Sequence, residues 1–261
     1  MNTLDLFSLK GKVAVVTGGC GHLGKAMVEA LFDAGAKVYV AGTSLDKYHD
    51  RYGLNNPCKF VPIDILSSES IRKAFKTVAE ESGCIDILIN DAAYACSGGK
   101  WPEDINDEMW QGTMEGVAGS VFKCIREVLP YMEGRGGSIV NIASMYGVIS
   151  PNLSMYDDVC APFLNPIDYG AGKASVVQMT KYLGAYLIKK NINVNCISPG
   201  TFPSPEVQKN TEFVRRLSEK NPAHRIGVPD DMKGAVLFLA SEASRYVVGQ
   251  NISVDGGWTI W

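Results

Sequence analysis

Short blocks of apolar residues recur along the chain and alternate with longer amphipathic stretches. Lys12-Val-Ala-Val-Val16 is one such block; Ala36 to Ala41 and Phe60 to Ile63 are others. Blocks of this length predict strands near 12–17, 36–41, 59–63, 85–89, 138–142, 193–197 and 252–254. Helices are predicted between them, near 24–34, 68–82, 107–132, 169–189, 205–220 and 229–241. Such alternation predicts an α/β fold: a doubly wound parallel sheet of about seven strands with helices on both faces. Ligands of sheets of this kind bind at the carboxyl ends of the strands.

Composition narrows the picture in a few places. With 261 residues, 46% of them hydrophobic, and no repeat, linker or low-complexity tract, residues 1–261 are expected to form a single domain. The net charge of −3 gives no reason to expect a nucleic-acid partner. The apolar runs are strand-length, and Met1-Asn-Thr-Leu-Asp-Leu6 lacks a basic region followed by an apolar block. Neither a membrane span nor a signal peptide is therefore expected, and a cytoplasmic location is. The seven cysteines are scattered without a CxxC pair, as in reduced proteins, and His22, His49 and His224 are too dispersed to suggest a metal site.

Two local patterns carry chemistry. The first strand runs into Thr17-Gly-Gly-Cys-Gly-His-Leu-Gly24 and then an amphipathic stretch from Lys25 to Ala34. Gly19, Gly21 and Gly24 spell GxGxxG between a strand and a helix, where a dinucleotide-binding turn needs its glycines. The helix N-terminus beyond it faces a diphosphate. In Tyr169-Gly-Ala-Gly-Lys173, a phenol and an ammonium lie four residues apart and so share a helix face. An ammonium at that distance favours the phenolate and equips the pair to move protons.

Together these segments resemble the short-chain dehydrogenase/reductase family, and further segments extend the resemblance over about 250 residues. Asn90-Asp-Ala-Ala93 is similar to the family's NNAG, and Asn141-Ile-Ala-Ser144 supplies its serine. Ile197-Ser-Pro-Gly200 matches the stretch lining the nicotinamide side, and Val254-Asp-Gly-Gly257 matches the closing VDGG. The resemblance implies hydride transfer between a nicotinamide and a secondary alcohol or ketone. Tyr169 would be the general acid or base, Lys173 its activator and the holder of the nicotinamide ribose, and Ser144 the donor to the substrate oxygen. Cofactor contacts are expected from Gly18, Gly19, Gly21, His22, Leu23, Gly24, Thr43, Ser44, Asp64, Ile65, Asn90, Ala92, Tyr169, Lys173, Pro199, Gly200 and Phe202. No metal is expected. A homo-oligomer, dimer or tetramer, is implied through the long helices and the last strand.

The chain departs from the family pattern in three places. Between Ser144 and Tyr169 stand 24 residues, roughly twice the usual number, with an inserted loop near 150–166 expected at the mouth of the site. In that loop Asp157 and Asp158 could meet a polar or cationic substrate. Tyr156 lies nearer the usual distance from Ser144, but Cys160 stands where lysine is required, so Tyr169 is preferred. Second, Val117 occupies the position, seven beyond Trp110, where relatives carry an asparagine in a water-mediated proton relay. Third, His22 replaces a glycine of the usual TGxxxGxG loop and is expected beside the phosphates.

At the end of the second strand Gly42 replaces the acid that would select NAD, with Thr43, Ser44 and Lys47 nearby and no arginine evident. NADP is favoured over NAD. A lid is expected near 202–222. Of the four tryptophans, Trp101, Trp258 and Trp261 could line the site or an interface, and Trp110 is expected in the core. The insertion and the unusual glycine loop favour a sugar-like substrate. Two other functions fit the same residues: a dinucleotide-binding redox sensor with little turnover, and a sugar-nucleotide dehydratase or epimerase.

Overall fold

The computed structural model describes residues 2–156 and 164–261. Its seven strands are β1 (Val13–Thr17), β2 (Lys37–Gly42), β3 (Lys59–Pro62), β4 (Ile87–Asn90), β5 (Gly137–Ile142), β6 (Ile192–Pro199) and β7 (Asn251–Val254). They form one sheet in the order β3-β2-β1-β4-β5-β6-β7, parallel at every pairing. Strand order reverses between β1 and β4, so a crevice opens over their carboxyl ends.

Alternate residues of β1 feed two separate cores, as the two-residue period of a strand requires. Val13 and Val15 pack with Phe75 of α3 (Ser68–Ser82), Ile125 of α5 (Ser120–Met132) and Val176 of α6 (Ile167–Leu187). Ala14 and Val16 pack on the other face with Met27 and Leu31 of α1 (Gly24–Asp33) and Val236 and Leu239 of α9 (Lys233–Ala240). Both faces are covered, which is why the strands read as continuous apolar runs.

Three helical segments differ from the sequence expectation. An additional helix, α2 (Leu45–Tyr52), starts at Ser44, whose hydroxyl accepts from the Lys47 amide at 3.2 Å. The helix expected over 107–132 is α4 (Asp107–Met114), a π turn over Glu115–Gly119, and α5. The lid region divides into α7 (Pro205–Gln208) and α8 (Thr211–Lys220), the latter capped by Asn210. Trp110, expected in the core, is 40% exposed, whereas Trp258 is buried.

A third, smaller core lies at the carboxyl end of the sheet. Met155, Tyr156 and Leu164, which bracket the undescribed part of the insertion, pack with Phe213 and Leu217 of α8 and with Trp258. The insertion is thus joined to the lid helix by buried apolar side chains. Asp157, Asp158 and Cys160 lie outside the described residues.

Candidate active site

The glycine loop closes the turn from β1 into α1. Gly18 adopts φ +72°, and a methyl on Gly24 would lie 2.2 Å from the Gly18 carbonyl oxygen, so larger residues at these two positions would open the turn. α2 braces the loop from outside: the Tyr52 hydroxyl donates to the Gly19 carbonyl at 2.6 Å, and Arg51 Nη2 donates to the Gly21 carbonyl at 3.4 Å. Thr17 ties the loop to β4, its hydroxyl accepting from the amides of Asp91 and Ala92, each at 3.2 Å.

A cleft of about 610 Å³ lies between the loop, the end of β2 and the residues after β4. Gly18, Gly21, Thr43, Ser44, Asp64, Ile65 and Ala92 line it, seven of the expected cofactor contacts. The cleft suits the adenosine half of a dinucleotide: Gly21 is exposed at the start of α1, and a methyl on Gly42 would meet nothing nearer than Phe60 at 3.8 Å. Gly19 and Gly24 are buried beneath the loop. His22 is half-buried, with Nε2 unpartnered among the described residues; burial pushes its pKa down, as does Arg51, and the Pro203 carbonyl partly opposes them. Phe202 lines a different cavity, of about 370 Å³, beside Gly227 and Asp255.

Tyr169 and Lys173 of α6 lie together against the end of β5, the strand that Ser144 follows. Ser144 follows β5, and its oxygen accepts from the Tyr146 amide at 3.2 Å, which leaves its proton free to donate outward. Lys173 is 4% exposed; its ammonium donates to the Ile142 carbonyl at 2.6 Å and lies 5.6 Å from the centroid of the Tyr169 ring. A buried cation so placed acts on the phenol through a medium of low dielectric. Asp168 holds the start of this helix: its fully buried carboxyl accepts from the Tyr169 amide at 2.9 Å and from the Ser97 hydroxyl. Tyr156, the alternative tyrosine, is buried, shares a 3.0 Å hydrogen bond with Tyr146 and packs on Phe213.

Asn90 is turned inward. Its amide donates to Asn141 at 2.9 Å, and Asn141 donates to Thr180 at 3.0 Å, so β4, β5 and α6 are linked by one chain of hydrogen bonds. Val117 is fully buried in the π turn against α6. Pro199 ends β6, and the Gly200 amide donates to Val254 at 3.0 Å.

Sequence reasoning missed two charged residues, one bracing the glycine loop and one lining the cleft. Arg51 shares a helix face with Lys47, four residues before it, a relationship visible only once α2 is recognised. Asp91 lines the cleft, and burial pushes its carboxyl up to about 7 despite an opposing pull from Lys173. The altered NNAG motif was its one sequence signal.

Known proteins resemble this chain over its full length. A family model described as enoyl-(acyl carrier protein) reductase matches residues 21–259. A rhamnolipid-biosynthesis 3-oxoacyl-[acyl-carrier-protein] reductase of Pseudomonas aeruginosa is 30% identical, covering 97% of this chain and 98% of its own. The 2-dehydro-3-deoxy-D-gluconate 5-dehydrogenase of Escherichia coli is 33% identical, covering 98% of each. Among solved structures, a gluconate 5-dehydrogenase from Burkholderia cenocepacia in complex with NADP and tartrate superposes with a TM-score of 0.86 at 27% identity, covering 99% of both chains.

Proposed function

The chain belongs to the short-chain dehydrogenase/reductase family and is an oxidoreductase; from that premise we propose that Ser144, Tyr169 and Lys173 catalyse hydride transfer to and from a polar, sugar-like alcohol or ketone. The observation that carries this reading is the buried Lys173 ammonium beside the Tyr169 ring, anchored on the Ile142 carbonyl of the strand that leads into Ser144. A bound nicotinamide supplies or accepts the hydride. In reduction Tyr169 gives its proton to the substrate oxygen, and in oxidation it takes that proton back. Lys173 stabilises the charge left on the phenol oxygen, and the Ser144 proton stabilises the charge developing on the substrate oxygen. Lys173 also holds the nicotinamide ribose, with Pro199 and Gly200 alongside.

Residues 1–261 act as one domain, with a lid over 202–222. Arg51 and Lys47 favour NADP: Lys47 lines the cleft where a 2′-phosphate would lie beyond Gly42, and Arg51, four residues on, reaches the Gly21 carbonyl beside it. The sugar-like substrate is supported by the sugar-acid dehydrogenases among the similar proteins and by the insertion packed against α8. Assay of sugar-acid ketones, ketoses and a 3-oxoacyl thioester with NADPH tests it. Turnover on the sugar-derived ketones is expected; turnover confined to the thioester would overturn the substrate assignment.

A redox sensor with little turnover is the second reading. Val117 favours it, because an apolar side chain in the π turn cannot pass a proton. The protein is further proposed to act in the cytoplasm as a homo-oligomer. Exposed Phe122 on α5 and Tyr182 and Tyr186 on α6 support association through those helices. No helix among the described residues is long and apolar enough to cross a membrane.

A further inference from the structure

Asp91 places an acid inside a cleft built for an anion. It follows directly on β4, its amide held by Thr17, and its Oδ2 reaches within 3.9 Å of where a methyl on Gly21 would stand. Gly21 belongs to the turn that approaches a diphosphate. Among the described residues no hydrogen bond reaches the Asp91 carboxyl, and Lys173 is the one charge that pulls on it. An ionised carboxylate there would face the negative charges of the ligand with no donor of its own.

We infer that Asp91 is a proton-linked determinant of cofactor binding: it enters the dinucleotide complex as the neutral acid, so binding above neutral pH draws one proton from solvent into the cleft. This rests on the dinucleotide reading of the cleft and concerns the charge state that the cleft must adopt. The direction follows from electrostatics. Burial already holds the carboxyl near 7 in the free protein, and an adjacent diphosphate pushes it higher. Below pH 7 the acid is neutral before and after binding, so affinity is at its maximum. Above pH 7 the free protein loses that proton and must regain it to bind. Affinity then falls by up to about tenfold per pH unit until the pKa of the complex is reached.

Two other titratable groups, both in the glycine loop, behave differently. Cys20 in the glycine loop is pushed above its ordinary value of 9, and His22 below 6.5, so both bracket the window from 7 to 9 rather than fall within it. The other charged or ionisable groups nearby are Lys47 and Arg51 on α2, Asp64 after β3, Tyr94 in the same loop as Asp91, and Tyr169 and Lys173 on α6.

The test is calorimetric titration with NADPH and with NADH at pH 6.5, 7.5 and 8.5, each in two buffers of different ionisation enthalpy. The 2′-phosphate of NADPH, with a second pKa of about 6, is already ionised over the upper part of this range. The expected result is uptake approaching one proton at pH 8.5 and a Kd roughly 10- to 30-fold weaker than at pH 6.5. Asp91→Asn should abolish both the uptake and the pH dependence, binding at pH 8.5 as the natural protein does at pH 6.5. A flat Kd without uptake in the natural protein, or uptake that survives in Asp91→Asn, overturns the inference. Absence of binding at every pH overturns the dinucleotide reading instead.

Discussion

Val117 and Gly172 touch where the π turn meets α6. A methyl built on Gly172 would lie 2.9 Å from Val117 Cγ1 and 3.0 Å from its Cβ. Because valine is stiff at χ1, it cannot swing clear of an added methyl. The close approach of α6, which carries Tyr169 and Lys173, to the π turn therefore depends on a glycine facing a valine.

That contact predicts a change of sign. Gly172→Ala is expected to destabilise the natural protein by about 1 kcal/mol, the overpacking outweighing the gain in helix propensity. In the Val117→Gly background both crowding atoms are gone, and the same change is expected to stabilise by about 1 kcal/mol. Urea denaturation of the four proteins measures the cycle. Equal effects in the two backgrounds would show that the contact does not limit the helix approach.

Arg51→Ala is expected to weaken NADPH binding by about tenfold or more, the loss of a charged hydrogen-bond donor, while NADH binding changes little. Fluorescence titration with both coenzymes reads the ratio. Equal weakening of the two would mean that Arg51 serves only to brace the Gly21 carbonyl.

The raised pKa of Asp91 also makes a stability prediction. Its carboxyl sits near 7 in the folded protein and ionises at about 3.9 in an unfolded chain. The folded state is therefore disfavoured progressively as pH rises from about 4 to 7, and the penalty then levels off. Asp91→Asn should leave stability near pH 4 little altered and raise it at pH 8. Thermal melts at pH 4.5, 6 and 8 check this; a variant no more stable than the natural protein at pH 8 would refute it.

Legibility in the sequence followed the local strength of each signal. Strands buried on both faces are unbroken apolar runs, so the sheet and its winding could be read directly. α2 could not, because only Tyr48 on it is buried and the remaining residues offer no apolar stripe. With α2 unseen, the shared face of Lys47 and Arg51 was hidden. The π turn was read as ordinary helix, since only Gly116 and Gly119 mark it within a stretch that is otherwise helical. Ser144, Tyr169 and Lys173 were identifiable from motif and spacing, but the Ile142 carbonyl that anchors the lysine depends on how β5 crosses α6. Asp91 was visible as a departure from a motif. Its approach to Gly21 joins residues 70 positions apart, and no local pattern encodes that.

The central claim is that Tyr169 transfers the substrate proton, and Tyr169→Phe tests it most directly. With the substrate found in the NADPH panel, kcat is expected to fall by about 10²- to 10⁴-fold, while NADPH binding stays within about a factor of three. Turnover unchanged by loss of the hydroxyl would contradict the account and leave the cleft as a binding site without this chemistry.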